Sequence, residues 1–299
     1  MTVVRPRRSV LYMPGSNARA LDKARSLPAD SLILDLEDAV APDAKDQARQ
    51  QVSEAVTAGG YGEREIFIRI NGADTPWGAS DLDAAAAAMP DGILVPKVSS
   101  PDDLKAISKV MDGADPERKV ALWAMIETPL AILNVGAIAA HAREEGSRLA
   151  GFVMGTNDLA KETGARIVSG RGPMIPWLMT ALAAARAYGI AIVDGVYNDL
   201  DDPRGFLEEC AAARDMGFDG KTLIHPMQIE TANRTFTPSA TEVAWAQKVV
   251  ETFRVPENAD KGAVRIDGRM VERLHADMAA RTLTLMDAIA MREVTATAS

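Results

Sequence analysis

Eight short apolar runs recur along this chain, each followed by a segment with room for a helix, and no other feature restricts the fold so tightly. The runs are SVLYMPG (9–15), SLILDLED (31–38), EIFIRIN (65–71), GILVPKV (92–98), KVALWAMIET (119–128), GFVMGTNDL (151–159), IAIVDGVY (190–197) and GKTLIHP (220–226). Rich in Val, Ile and Leu and nearly continuous in apolar character, they read as strands buried on both faces, which points to a parallel sheet. Between them ALDKARSLP, DQARQQVSEAVTAGG, DLDAAAAAM, DDLKAISKVMDG, IPWLMTALAAARAYG and PRGFLEECAAARDMG carry apolar residues at helical spacing, with Gly or Pro at their ends. Eight such strands wrapped by helices predict an α/β chain closed into a (β/α)8 TIM barrel over residues 1–230. An open doubly wound sheet is the alternative, but no GxGxxG follows the first strand. Beyond residue 230 the alternation stops. PSATEVAWAQKVVETF reads as a helix, GAVRIDGRMVE as a hairpin about Asp267-Gly268 and RLHADMAARTLTLMDAIAM as a last helix. Residues 231–299 are therefore expected to form a helical extension, a lid or a contact to a neighbouring subunit.

Composition narrows the function classes. A net charge of −9 over 299 residues disfavours a nucleic-acid surface, and no apolar run is long enough to span a membrane. The N-terminus lacks the apolar core of a signal peptide, so a cytoplasmic protein is expected. Arg5, Arg7, Arg8, Arg19, Lys23 and Arg25 crowd one locally basic stretch, which is either a solvated face or an anion site. Cys210, the single cysteine, sits among alanines and is expected to be packed. His141 and His275 are expected at the surface.

In a TIM barrel the carboxyl ends of the strands form the active-site face. There the runs place Asp35, Glu37 and Asp38, then Arg69 and Asn71, Lys97, Glu127, Asn157 and Asp158, Asp194 and Tyr197, and His225. A ring of carboxylates with few cationic partners calls for a cation, and Mg2+ suits it because it takes oxygen ligands and keeps waters. Zinc does not suit a chain with three histidines and one cysteine. Thr128 and Asp158 can alternatively cap the helices that follow them. The Arg69 fork can grip a carboxylate or enolate bidentately, oriented by Glu37 and Asp38, or can be a structural Arg–Asp pair. In GTNDL, the backbone of Gly155, Thr156 and Asn157 offers N–H groups to a substrate carboxylate.

SVLYMPGS, LILDLEDAV, FIRIN, LVPKV, MIET, GTNDLA and GKTLIHPMQIETANRTFTPSATEV together resemble the HpcH/HpaI aldolase/citrate lyase family, in its citrate lyase beta-subunit-like and malyl-CoA lyase-like branch. The resemblance covers nearly the whole chain. It implies a homotrimeric or homohexameric TIM barrel that cleaves or forms a carbon–carbon bond beside a CoA thioester, releasing a 2-oxo acid, with Mg2+ or Mn2+ as cofactor. It further implies that Glu127 and Asp158 hold the metal, that Arg69 grips the oxo acid or enolate, and that Glu37 and Asp38 lie close by. Arg19 and Lys23, within the basic stretch, become candidates for the CoA phosphates. The family's C-terminal DGxMVD pattern, contributed by a neighbouring subunit, reads IDGRMVER here, so Glu272 stands where relatives carry Asp. The longer side chain either preserves acid–base work or redirects the chemistry to attack by water. A malyl-, citramalyl- or methylmalyl-CoA lyase is the leading expectation. A malyl-CoA-type thioesterase, and a citrate lyase beta subunit acting on a carrier-protein-bound citryl thioester, are the alternatives.

Overall fold

The structure, a computed structural model, describes residues 5–258 and 260–298. Its strands are β1 (Ser9–Pro14), β2 (Ser31–Asp35), β3 (Glu65–Arg69), β4 (Gly92–Val95), β5 (Ala121–Ile126), β6 (Leu149–Met154), β7 (Ala191–Asp194), β8 (Gly220–Leu223), β9 (Ala263–Ile266) and β10 (Arg269–Glu272). Its α-helices are α1 (Ala18–Ala24), α2 (Lys45–Ala58), α3 (Gly78–Ala88), α4 (Pro101–Met111), α5 (Pro129–Ala140), α6 (Thr156–Thr163), α7 (Ile175–Tyr188), α8 (Pro203–Met216), α9 (Ile229–Phe236), α10 (Ala240–Arg254) and α11 (Arg273–Ala298). None is long and apolar enough to cross a membrane among the described residues.

β1 to β8 form a closed barrel in sequence order, and β1 pairs with β8 in parallel to complete it. The expected (β/α)8 architecture is therefore present, with each of the eight runs on its own strand. Side chains alternate along each strand between a barrel interior and a helix-facing shell. Val10, Ile33, Phe67, Leu94, Trp123, Met125, Val153 and Val193 fill the interior, while Leu11, Leu32, Leu34, Ile68 and Ile93 pack against the helices. Phe67 and Trp123 meet edge to face at 5.0 Å. Gly151 leaves room for the indole, since a Cβ there would lie 2.7 Å from the Trp123 ring.

The helix starts are written in local sequence. Ser100-Pro101, Thr128-Pro129 and Asp202-Pro203 each put a capping side chain before a proline whose missing N–H costs the helix nothing, and these begin α4, α5 and α8. The helices α5, α6 and α9 complete the set read from the sequence. His141 departs from expectation: it is 4% exposed at the end of α5, with Nδ1 3.1 Å from Glu144. Cys210 is fully buried, as its alanine neighbours predict.

Arg7–Phe236 make one compact unit, and the residues from Thr237 onward belong to a second. In the second, α10 and α11 pack with the β9–β10 hairpin around Val249, Phe253, Ile266 and Val271. Asp267 and Gly268 turn that hairpin, both at positive φ (46° and 82°), the conformation a two-residue turn of this kind requires.

Candidate active site

The carboxyl ends of the barrel strands open on a cavity of about 290 Å3, lined by Tyr12, Asp38, Arg69, Met154, Thr156 and Asp158 among others. A larger cavity of about 670 Å3 adjoins it and shares Thr156, Val196 and Asn198.

Arg69 ends β3 and is buried. Its Nε and Nη2 each donate to one carboxylate oxygen of Asp35, both at 2.7 Å. Asp35 is fixed in turn by the N–H groups of Glu37 (2.9 Å) and Ala39 (3.0 Å). The fork expected to grip substrate bidentately is thus engaged by the protein, and Asp35, rather than Glu37 and Asp38, is its main orienter. What the guanidinium presents is Nη1, 3.0 Å from Glu37 Oε2 and 3.2 Å from Asp38 Oδ2. Burial works against the charge, but Asp35 and its neighbours hold the Arg69 pKa well above the ordinary value. The cation is permanent.

Glu127 follows β5 and is 1% exposed. One oxygen, Oε1, accepts the Lys97 N–H at 2.7 Å; Lys97 adopts a left-handed φ of 54°, uncommon for a residue with a side chain. The other oxygen faces Gly155, where a Cβ would lie 2.6 Å away. Burial, with Asp158 nearby, pushes the Glu127 carboxyl up to about 7, against the lowering effect of the Lys97 N–H. Asp158 lies in the first turn of α6 and is half-buried, and no hydrogen bond or ion pair of the described residues engages it. It does not cap α6, whose N-cap is Gly155, whereas Thr128 does cap α5 through the Ala131 N–H.

These two carboxylates follow adjacent strands, β5 and β6. Among the described residues no cluster of three or more His, Cys, Asp or Glu side chains could hold a metal. A buried Glu with one oxygen, and a nearby Asp with both, lacking a donor among the described residues fit a hard cation that takes one or two carboxylates and completes its shell with water and substrate oxygens.

Glu37, held near Arg69, is pushed up to about 8, first by burial and then by Asp38, Glu127 and Asp35, against the pull of Arg69. Lys97 Nζ stands 4.0 Å from it. Gly155 lines the cavity, but its own N–H is engaged by the Ile126 carbonyl at 3.1 Å, so it supplies room rather than a donor. The N–H groups of Thr156 and Asn157 begin α6 with no side-chain cap. The Asn157 amide exchanges hydrogen bonds with Asn198 at 2.8 and 3.3 Å.

Other expectations change. Asp194 is not part of an open carboxylate ring: buried Arg171 and Lys221 bind it at 2.7 and 2.8 Å, and half-buried Glu209 joins them in a four-charge cluster. The basic N-terminal stretch also divides. Arg7 pairs with Glu65 and Arg8 with Asp30 at the amino ends of the strands, away from the cavity, and Arg25 pairs with Asp22. Arg19 and Lys23 remain exposed on α1, after β1. Glu272 is exposed on β10 in the second unit, its N–H donating to His275 Nδ1 at 2.9 Å. The sequence reading assigned no role to Tyr12, whose ring packs against the Arg69 guanidinium at 4.9 Å. Strand parity was the available signal, since Tyr12 shares a face with Val10, and Asp35 with Ile33.

The model of the HpcH/HpaI aldolase/citrate lyase family matches residues 8–226. A (3S)-malyl-CoA thioesterase of Cereibacter sphaeroides is 49% identical over 95% of this chain and 96% of its own. The citrate lyase subunit beta of Escherichia coli is 36% identical over 97% and 96%. Among solved structures, the protein CitE of Mycobacterium tuberculosis in complex with magnesium, acetoacetate and coenzyme A is 28% identical, with a TM-score of 0.76 over 95% of this chain and 99% of that one.

Proposed function

The chain belongs to the HpcH/HpaI aldolase/citrate lyase family, and we propose that it is a Mg2+-dependent enzyme acting on a 3-hydroxyacyl-CoA thioester of the malyl-CoA type, hydrolysis of the thioester being its net reaction. The observation that carries the reading is Glu127, a buried carboxylate with one oxygen fixed by the Lys97 N–H, near Asp158, which no described residue binds. When held by Glu127 and Asp158, Mg2+, or Mn2+ in its place, supplies a Lewis acid that favours negative charge on substrate oxygens.

The chain's own groups divide the remaining work. Arg69 Nη1 lies where it can neutralise an oxyanion, with Asp35 preventing the guanidinium from turning away. The N–H groups of Thr156 and Asn157 receive the substrate's free carboxylate at the start of α6. Glu37, at about 8, carries a proton at neutral pH and can exchange it with the substrate hydroxyl or a water, and Asp38 shares Arg69 Nη1 with it. Arg19 and Lys23 meet the CoA phosphates. The adjoining cavities give a small acyl group and a longer arm separate room. Residues 231–299 act as the extension of a homotrimer or homohexamer, carrying Glu272 to a neighbouring subunit's site. Exposed Met270, Leu274 and Met278 in that part of the chain support a protein contact there.

Carbon–carbon cleavage to an acyl-CoA and a 2-oxo acid is the second reading, favoured by the 36% identity to a citrate lyase beta subunit. The same Arg69 and carboxylates would serve it. Incubating the protein with malyl-CoA and Mg2+ and measuring malate, free CoA, glyoxylate and acetyl-CoA separates the two. Malate and CoA in equal amounts without glyoxylate support hydrolysis; glyoxylate and acetyl-CoA in equal amounts replace it with the lyase. Turnover only of a carrier-protein-bound citryl thioester would make the protein a citrate lyase subunit.

A further inference from the structure

The hydroxyl of Tyr12 has no structural task in this protein. Tyr12 stands on β1, on the same face as Val10, so its ring enters the barrel and packs against the interior cluster of Ile33, Phe67 and Met125. The ring face also carries the Arg69 guanidinium, 4.9 Å from its centroid. A phenylalanine would provide both contacts. The hydroxyl forms no hydrogen bond with the described residues, and it is not one of the polar atoms sealed inside the protein without a partner. It therefore opens on the cavity that Tyr12 lines together with Arg69, Thr156 and Asp158. A phenol at a largely buried position normally directs its O–H to a partner. Among the described residues that partner is missing, and the space in front of the hydroxyl is the space a substrate would occupy. Burial and the nearby carboxylates of Asp35, Glu127 and Glu37 raise its pKa, against the pull of Arg69, so the group is a proton-bearing donor at neutral pH.

We propose that Tyr12 is a catalytic residue whose hydroxyl donates a hydrogen bond to the substrate oxygen that gains negative charge, beside Arg69. The inference rests on the reading of this cavity as the site of thioester chemistry, and it holds for hydrolysis and for carbon–carbon cleavage alike, because both place charge on a former carbonyl oxygen. A fixed donor aimed at developing charge in a site of restricted water lowers the barrier more than it strengthens ground-state binding. No proton need leave the phenol, which separates this role from that of Glu37.

The test compares Tyr12→Phe with the wild type in Mg2+. Tyr12→Phe keeps the ring, the Arg69 contact and the packing, so its melting temperature should match the wild type and report that the site is intact. With malyl-CoA its kcat should fall roughly 10- to 100-fold while KM stays within about 2-fold. An unchanged kcat overturns the inference even though the wild type is active. If the wild type does not turn over malyl-CoA, the substrate reading fails, and Tyr12 is then decided by calorimetric binding of oxalate, a planar dianion with enolate-like oxygens, in Mg2+. Binding about 10-fold weaker in Tyr12→Phe sustains the donor role, and equal affinity, or no oxalate binding to either protein, overturns it.

Discussion

Alanine at position 155 should disable the site while leaving the fold nearly untouched. Gly155 has a φ of −98°, outside the left-handed region that favours glycine, so a side chain there is not opposed by a positive φ. The difficulty is Glu127: a Cβ at 155 would lie 2.6 Å from Glu127 Oε2, where ordinary contact needs at least 3.4 Å. It would also overlap the Glu127 Cβ. The carboxylate must retreat by about 1 Å, a displacement that costs on the order of 10²-fold in rate when it strikes a group that positions the reaction. Overpacking of this size destabilises by about 1–3 kcal/mol. Gly151→Ala provides the control, because its Cβ meets the Trp123 ring at 2.7 Å on β6, the strand that Gly155 follows. Both variants should show similar losses in urea unfolding, but only Gly155→Ala should lose kcat/KM with malyl-CoA and its response to Mg2+. Wild-type kinetics in Gly155→Ala, at the same loss of stability, would refute the assignment of Glu127 to the metal.

Arg69→Lys should lose at least about 10²-fold in kcat despite keeping a charge, because one ammonium cannot hold both Asp35 oxygens and still face the cavity as Nη1 does; steady-state kinetics at saturating Mg2+ reads this. Asp194→Asn leaves Lys221 and Arg171 to share Glu209 alone, with one positive charge in excess, and should cost about 3–5 kcal/mol in denaturant unfolding at pH 7. The Asp194 carboxyl is depressed by Lys221 and Arg171 against the effect of burial, so its contribution is present above the unfolded value of about 4 and is lost as pH falls through the lower folded value. The gap between wild type and Asp194→Asn should accordingly narrow in acid. Burial pushes the Cys210 thiol up to about 12, so native protein at pH 8 should resist iodoacetamide and become labelled only in denaturant, as followed by mass spectrometry.

The barrel was legible because strand and helix periods alternate along the chain and the X-Pro helix starts are local signals. The strand-end residues were legible for the same reason, since position at the end of an apolar run is a one-dimensional property. Pairing between them is not. Asp35 and Arg69 are opposite one another in the β2–β3 register, and Asp194 and Lys221 in the β7–β8 register. Those registers decide which charges are satisfied by the protein and which remain for a ligand. Sequence order also grouped Arg7 and Arg8 with Arg19 and Lys23, although β1 carries the first pair and the second to opposite ends of the barrel. His141 looked polar by its surroundings in sequence, but the end of α5 turns it inward.

The most direct test of the central claim is turnover of malyl-CoA by wild type and Glu127→Ala after EDTA treatment, before and after Mg2+ is restored. Wild-type activity should vanish with EDTA and return with Mg2+, while Glu127→Ala, folded by circular dichroism, should stay inactive throughout. Turnover that survives EDTA, or a Glu127→Ala variant that Mg2+ restores to wild-type rates, would contradict the account.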